Sequence, residues 1–296
     1  MKIRLLKDKV IGTGMLTFSV LSVSMVVLIG LGLYWRSLPI LENYSIWELI
    51  SGDIWRPLKG AFGFFPFIMG TLWVTAMSIV IAIPVCLLTA IYLSEYAPAR
   101  FKSIFLPMIN MLAGIPPVIY GVWGVFFVVP IVQRYIAPFF VDFSTGFTVL
   151  AGSIVLAVMI FPLIVSIIVE VLQTIPKELR EASLSLGATK WETIKKVILR
   201  KAMPGIIAAV VLAVSRAFGE TIAVLMVCGN VPISPKSIFD PAYPLPALLA
   251  NNFGEMMSVP LYDAALMFSA LVLFVIILIF NVISRIILQK ISIRNA

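Results

Sequence analysis

Charged residues are scarce in this sequence, so the few that fall inside apolar stretches are where chemistry has to be sought. Arg216 and Glu220 stand four residues apart within the run SRAFGETIAVLMVCGN (residues 215–230). A charge at mid-bilayer depth costs at least about 2.5–3.5 kcal/mol on insertion scales, so such residues avoid lipid and usually serve a function. As one continuous helix, the spacing sets Arg216 near the centre of a fifth span and Glu220 one turn further on, on nearly the same face. Ala209, Ala213 and Ala223 share that face, and small residues there allow close helix packing or leave room for a pathway. Two arrangements fit. The pair can neutralise itself and lock the packing, or it can line a polar pathway. In the second case the guanidinium offers a planar fork of donors to phosphate oxygens, and the carboxylate orients it and keeps anion binding weak enough for release.

Most of the remaining polar chemistry is concentrated in a loop at about 170–201, including IPKELREASLSLGATKWETIKKVILRKAMPG (residues 175–205). This stretch reads as two short helices. Pro176 suits a helix start, Glu178 suits the first turn, and Leu179, Ala182 and Leu186 recur on one face. Gly187 is placed to end the first helix in the left-handed conformation, and Thr189 with Glu192 forms a capping box that opens the second. The second helix sets Trp191, Ile194 and Ile198 on one side and lysines on the other. Helical spacing alone fits a basic amphipathic hairpin on an anionic membrane leaflet as well as a surface that another protein docks against.

Other chemistries find no residues here. There is no histidine, which removes the commonest general base and metal ligand together. Cys86 and Cys228 sit inside apolar runs and suggest neither a disulfide framework nor a metal site. No GxxxxGK[ST] phosphate-binding loop occurs, so any ATP-derived energy must come from another chain.

The elements that position these residues are membrane helices. Of 296 residues, 61% are hydrophobic and 12% charged, which excludes a soluble fold of this length because a large surface would still have to face water. Six apolar windows are wide enough to cross a bilayer, giving an all-α integral membrane protein in one domain, residues 1–296. The expected spans are 12–35, 64–93, 104–132, 146–169, 203–229 and 263–287. The basic start of the chain resembles a signal peptide, but the apolar run after it is too long and is read as a retained first span. Alternate loops and the two termini carry 16 Lys and Arg, among them Lys2, Arg4, Lys7, Lys9 and Arg294, against 5 on the other side. That asymmetry puts both ends in the cytoplasm and makes the net charge of +8 a matter of topology. The segment 229–260 holds Pro232, Pro235, Pro241, Pro244, Pro246 and Pro260 and reads as an external loop, either a plain connector or one that dips back toward the membrane.

The order Glu181-Ala182-Ser183, then Gly187, then Val197 and Leu199 ahead of Pro204-Gly205 resembles the "EAA" loop of permeases in ATP-binding-cassette importers. Ser183 stands where that pattern has its second alanine, and Arg200 where it often has proline. The run 215–230 resembles the fifth-span signature of the PstC-type permease of phosphate importers. LAGIPPVIYGVWG (residues 112–124) resembles that family's third-span motif, and IFDPAYPLPALLANNFGE (residues 238–255) its outer loop. The likeness covers residues 112–255 and implies a type I ABC importer permease fold that forms half of a phosphate pathway in the cytoplasmic membrane. Its implied partners are a sister permease, two ATPase subunits that bind ATP-Mg, and an external phosphate-binding protein. It also implies that this chain binds no cofactor and catalyses no reaction itself. Glu181, Ala182, Ser183, Leu186 and Gly187 would couple to the ATPase, and Arg216 and Glu220 would line the pathway. A permease for another oxyanion and the sister subunit of the same importer are the neighbouring alternatives. An ion-coupled secondary transporter would be expected to show internal repeats, which are absent, and would leave the loop unexplained.

Overall fold

Long apolar runs inside a bilayer satisfy their backbone groups internally, and helices do this within a single segment. The computed structural model of the chain describes residues 2–254 and 260–295; Met1, residues 255–259 and Ala296 lie outside it. Glu255, the last residue of the outer-loop motif, is therefore outside the described residues. So are the side chains of Lys2, Arg4, Lys7, Lys9 and Arg294, which carry part of the orientation argument.

Helix α1 (Lys2–Asn43) is followed by the short α2 (Ile46–Ser51) and a two-stranded hairpin, β1 (Trp55–Arg56) with β2 (Ala61–Phe62), in which Trp55 pairs with Phe62. Next come α3 (Phe65–Tyr96), α4 (Ala99–Ala113), α5 (Pro117–Phe139) and α6 (Val149–Gln173). The loop helix α7 (Lys177–Ser185) leads into α8 (Lys190–Phe218), and α9 (Ile222–Val227), α10 (Leu245–Asn252) and α11 (Pro260–Asn295) complete the chain. Among the described residues, six helices are long and apolar enough to cross a membrane: α1, α3, α5, α6, α8 and α11.

The centre of the molecule is α6. Val155, Leu156, Ile160, Ile164, Ile168 and Leu172 are buried along it, and α3, α4, α8 and α9 pack around it. Thr148 caps its start by accepting the Ala151 N–H at 3.2 Å. Two further N–H groups of its first turn, on Val149 and Leu150, donate to the carbonyls of Asp240 and Ile238 at 2.9 and 2.8 Å. Helix α1 is peripheral: it packs along α11, with Gly30 against Phe274, and presents Met15, Phe18, Val23 and Leu28 outward. A second, aromatic core gathers at the hairpin around Trp55, whose ring lies 5.1–6.1 Å from those of Phe62, Phe64, Phe67 and Tyr262.

Residues 229–254 of the segment 229–260 pack onto the helices and do not stand off them as a plain connector. Helix α10 buries Leu245, Ala247 and Leu248, the Leu245 N–H donates to Thr71 Oγ1 at 2.8 Å, and Tyr243 lies against Gly70 of α3.

Three expected boundaries are corrected. The third span, 104–132, is not one helix: the chain breaks at Gly114–Pro116 and the crossing helix is α5. Pro116 disfavours helix at Ile115, while Pro117 suits the first position of α5. The second loop helix is not short but continues through a π turn at Thr193–Ile198 into the fifth span, with Pro204 accommodated in its interior. The fifth span, expected over 203–229, ends as a helix at Phe218 and resumes only as the short α9.

Candidate functional site: two broken helices and a loop helix

Helix α8 ends where local bonding outcompetes the helical ladder. The Gly219 and Glu220 N–H groups bond Arg216 O and Ala217 O, each at 3.2 Å, in a tightened last turn, and Thr221 Oγ1 donates to Gly219 O at 3.2 Å. The Glu220 carboxylate then accepts the Ala223 N–H at 3.4 Å, so it caps α9. Arg216 thus lies in the last turn of α8 rather than at a span centre, and Glu220 lies beyond the helix rather than one helical turn along it.

The two charges do not pair. Among the described residues the ion pairs are Arg36–Asp263, Arg180–Glu95 and Lys196–Glu192. Arg216 is exposed, whereas Ala209 and Ala213 beside it on α8 are buried, so the polar head is turned away from the packed face. The reading in which Arg216 and Glu220 neutralise each other does not match this geometry. Their separation follows from the helix break, because a carboxylate that serves a helix N-terminus is not aimed back along α8.

The break in α8 meets the break between α4 and α5. A Cβ on Gly121 would lie 3.2 Å from Ala223 Cα and 2.6 Å from Met226 Sδ, and one on Gly124 2.8 Å from Val227 Cγ1. Two stretches about a hundred residues apart in sequence are thereby pressed together, α5 directly on α9. Tyr120 donates its hydroxyl to Leu112 O at 2.8 Å, a second donor to a carbonyl at the first break that also accepts the Ile115 N–H at 3.1 Å. Tyr120 was not singled out from sequence; the signal was the Pro116-Pro117 break, which requires a donor for the carbonyls it frees. Gly219 and Thr221 face a separate cavity of about 780 Å³, largely apolar, bounded also by Arg36, Pro246, Ala250 and Met267.

The loop residues lie at the opposite end of α8. Helix α7 buries none of its residues; Leu179 and Ala182 are exposed, and Leu186 just beyond it is 88% exposed, so the apolar face has no cover among the described residues. Glu181 is exposed on the same helix, and Ser183 Oγ lies 2.9 Å from Thr193 Oγ1, tying α7 to the start of α8. Gly187 has φ +84°, and nothing lies within 4 Å of where its Cβ would be, so its requirement is one of conformation alone. Thr189 and Glu192 form the capping box, with each side chain bonded to the other's backbone N–H. Ile194 and Ile198 are buried while Trp191 stays exposed. Sequence reading missed Arg180 and Glu95, which join α7 to the end of α3.

Comparison with known proteins agrees with this layout. Residues 82–293 match the family described as "Binding-protein-dependent transport system inner membrane component". The chain is 39% identical over 237 residues to the probable ABC transporter permease protein YqgH of Bacillus subtilis, covering 79% of this chain and 75% of that protein. It is 35% identical over 269 residues to the probable phosphate transport system permease protein PstC of Methanocaldococcus jannaschii, covering 86% and 85%. It is 36% identical over 250 residues to the phosphate transport system permease protein PstC of Haemophilus influenzae, covering 80% and 79%. In fold it is similar to a chain of the inward-facing MetNI methionine ABC transporter, with TM-score 0.57 and 19% identity over 80% of this chain and 99% of that one. A membrane-crossing bundle with an uncovered loop helix, matched over most of its length by one family, places this chain in the binding-protein-dependent transport system inner membrane component family, the permease subunits of ABC importers.

Proposed function

We propose that the chain is the permease subunit of an ATP-driven phosphate importer, forming half of the translocation pathway beside a sister permease. Two ATPase subunits that bind ATP-Mg and an external phosphate-binding protein complete the assembly, and this chain hydrolyses nothing itself. Both termini are cytoplasmic, on the Lys/Arg asymmetry.

The observation that carries the reading is the exposed Arg216 guanidinium, unpaired with any carboxylate among the described residues and set in the last turn of an apolar helix long enough to cross a membrane. Irregular backbone within a bilayer is tolerated where it is buried in protein or lines a polar path. An unpaired fork of donors there suits an oxyanion in transit. Relatives that carry phosphate transport in their names support phosphate as that oxyanion. Glu181, Ala182, Ser183, Leu186 and Gly187 couple the chain to the ATPase: the uncovered face of α7 is the surface a groove on that subunit would receive, and Gly187 sets its angle.

The test is ATP-driven uptake of labelled phosphate by the reconstituted complex, with Arg216→Lys compared with wild type at matched assembly. The charge is kept and the fork is lost. Uptake is expected to fall about tenfold or more, the scale of one lost charge-assisted hydrogen bond. Wild-type uptake by Arg216→Lys would remove the arginine from the pathway, and excess sulfate that competes out all phosphate uptake would move the substrate to another oxyanion.

A further inference from the structure

Resting on the reading of the chain as an ATP-driven permease, we propose that Arg180 and Glu95 form the joint through which movement of the loop helix reaches the membrane core. Arg180 bonds Glu95 in a fork, Nε to Oε2 at 3.2 Å and Nη2 to Oε1 at 2.7 Å. Its remaining donors go to backbone carbonyls: Nη2 to Leu172 O at 2.9 Å, and Nη1 to Ile175 O at 2.7 Å and Pro176 O at 3.4 Å. Leu172 lies in the last turn of α6, and Ile175 and Pro176 form the link to α7. One guanidinium therefore ties α7, the C-terminal end of α6 and the end of α3 together. The cation also sits where the α6 dipole favours it.

The geometry suits force transmission better than surface decoration. The pair is largely enclosed, with the Arg180 and Glu95 side chains 21% and 9% exposed. Glu95 belongs to the π turn Tyr92–Tyr96 that ends α3. The same turn is held a second time, by Lys190 at the start of α8, whose Nζ lies 4.3 Å over the Tyr96 ring. The two holding elements are themselves tied by Ser183 and Thr193, the latter in a second π turn. A displacement of α7 is thus delivered to α3 and α6, the most extensively packed helix pair in the molecule. Arg180 and Glu95 act as positioning residues, engaged with each other and with the end of α6, and they lie off the exposed apolar face of α7.

The experiment uses the whole complex in proteoliposomes with the external binding protein. It measures labelled phosphate delivered per ATP hydrolysed, and records binding-protein-stimulated over basal ATP hydrolysis alongside. In Arg180→Lys and Glu95→Gln the ATPase subunits should co-purify in wild-type amount, while phosphate delivered per ATP falls about tenfold. The double variant should be no worse than either single one, since both break one joint. A wild-type ratio in Glu95→Gln would overturn the proposal. So would loss of the ATPase subunits from Glu95→Gln, which would make the pair part of the docking surface. Glu95→Gln leaves Arg180 on its three carbonyls, so it decides the matter even if Arg180→Lys does not assemble. A wild-type complex that moves no phosphate overturns the substrate reading instead, and the stimulated-to-basal ratio still scores the joint.

Discussion

Arg216 and Glu220 do different work although they stand four residues apart. Arg216 projects from the last turn of α8 without an acidic partner among the described residues, whereas Glu220 accepts a backbone N–H from α9. A cap needs an acceptor, and a glutamine amide oxygen is one. Glu220→Gln is therefore expected to retain most phosphate uptake. Glu220→Leu should lose about 1 kcal/mol of stability, the usual scale of a removed helix cap. Thermal unfolding in detergent together with uptake separates the two. Equal loss of uptake in both variants, at unchanged stability, would show that the charge itself serves transport.

At the scale of elements, the decisive arrangement is α5 against α9, two helices that each begin just after a break. Their approach depends on the missing side chain at Gly121, where a Cβ would stand 3.2 Å from backbone Ala223 Cα. Gly121→Val should separate them at a cost of about 1–3 kcal/mol, the usual penalty of overpacking, read as a lowered Tm of the purified complex. An unchanged Tm would mean the helices part without cost. Gly187 gives the complementary case, since its surroundings are open and only its φ of +84° is demanding. Valine there should misplace α7 and lower transport-linked ATP hydrolysis while membrane insertion persists. Asparagine, which enters the left-handed region more easily, should be milder. Similar loss with both would argue that the turn conformation is not what matters.

At the scale of the whole molecule, burial is graded from α6 outward to α1. None of the apolar window of α1 is buried, while 56% of that of α6 is. An outermost helix of this kind is covered by lipid or by another subunit. By order along the chain, 16 Lys and Arg fall in the two termini and in the loops on the side of α7, against 5 on the other, so a reporter fused after Arg294 is expected to report the cytoplasm. An exported reporter would overturn the orientation and, with it, the placing of α7 opposite an ATPase.

Whatever depends on transfer free energy and on bonds within a few residues is legible in the residues alone. The number of apolar windows, the capping box of Thr189 and Glu192, and the left-handed turn at Gly187 are present as read, because each is dictated by its own segment, while the bounds of the third and fifth spans are not. Pro116 and Pro117 stand inside a continuous apolar window, where proline is expected to be tolerated within a span; the chain breaks there instead, because hydropathy does not register the lost backbone donors. Tertiary structure decided the rest. Whether Arg216 faces Glu220 depends on where α8 gives up its ladder, a balance between helical bonds and the local bonds of Gly219–Thr221 that hydropathy does not register. The return of α10 onto α3 rests on partners such as Thr71, 174 residues from Leu245. The grip of Arg180 on Glu95 spans 85 residues, and only the packing of α3 against α6 brings the two within reach.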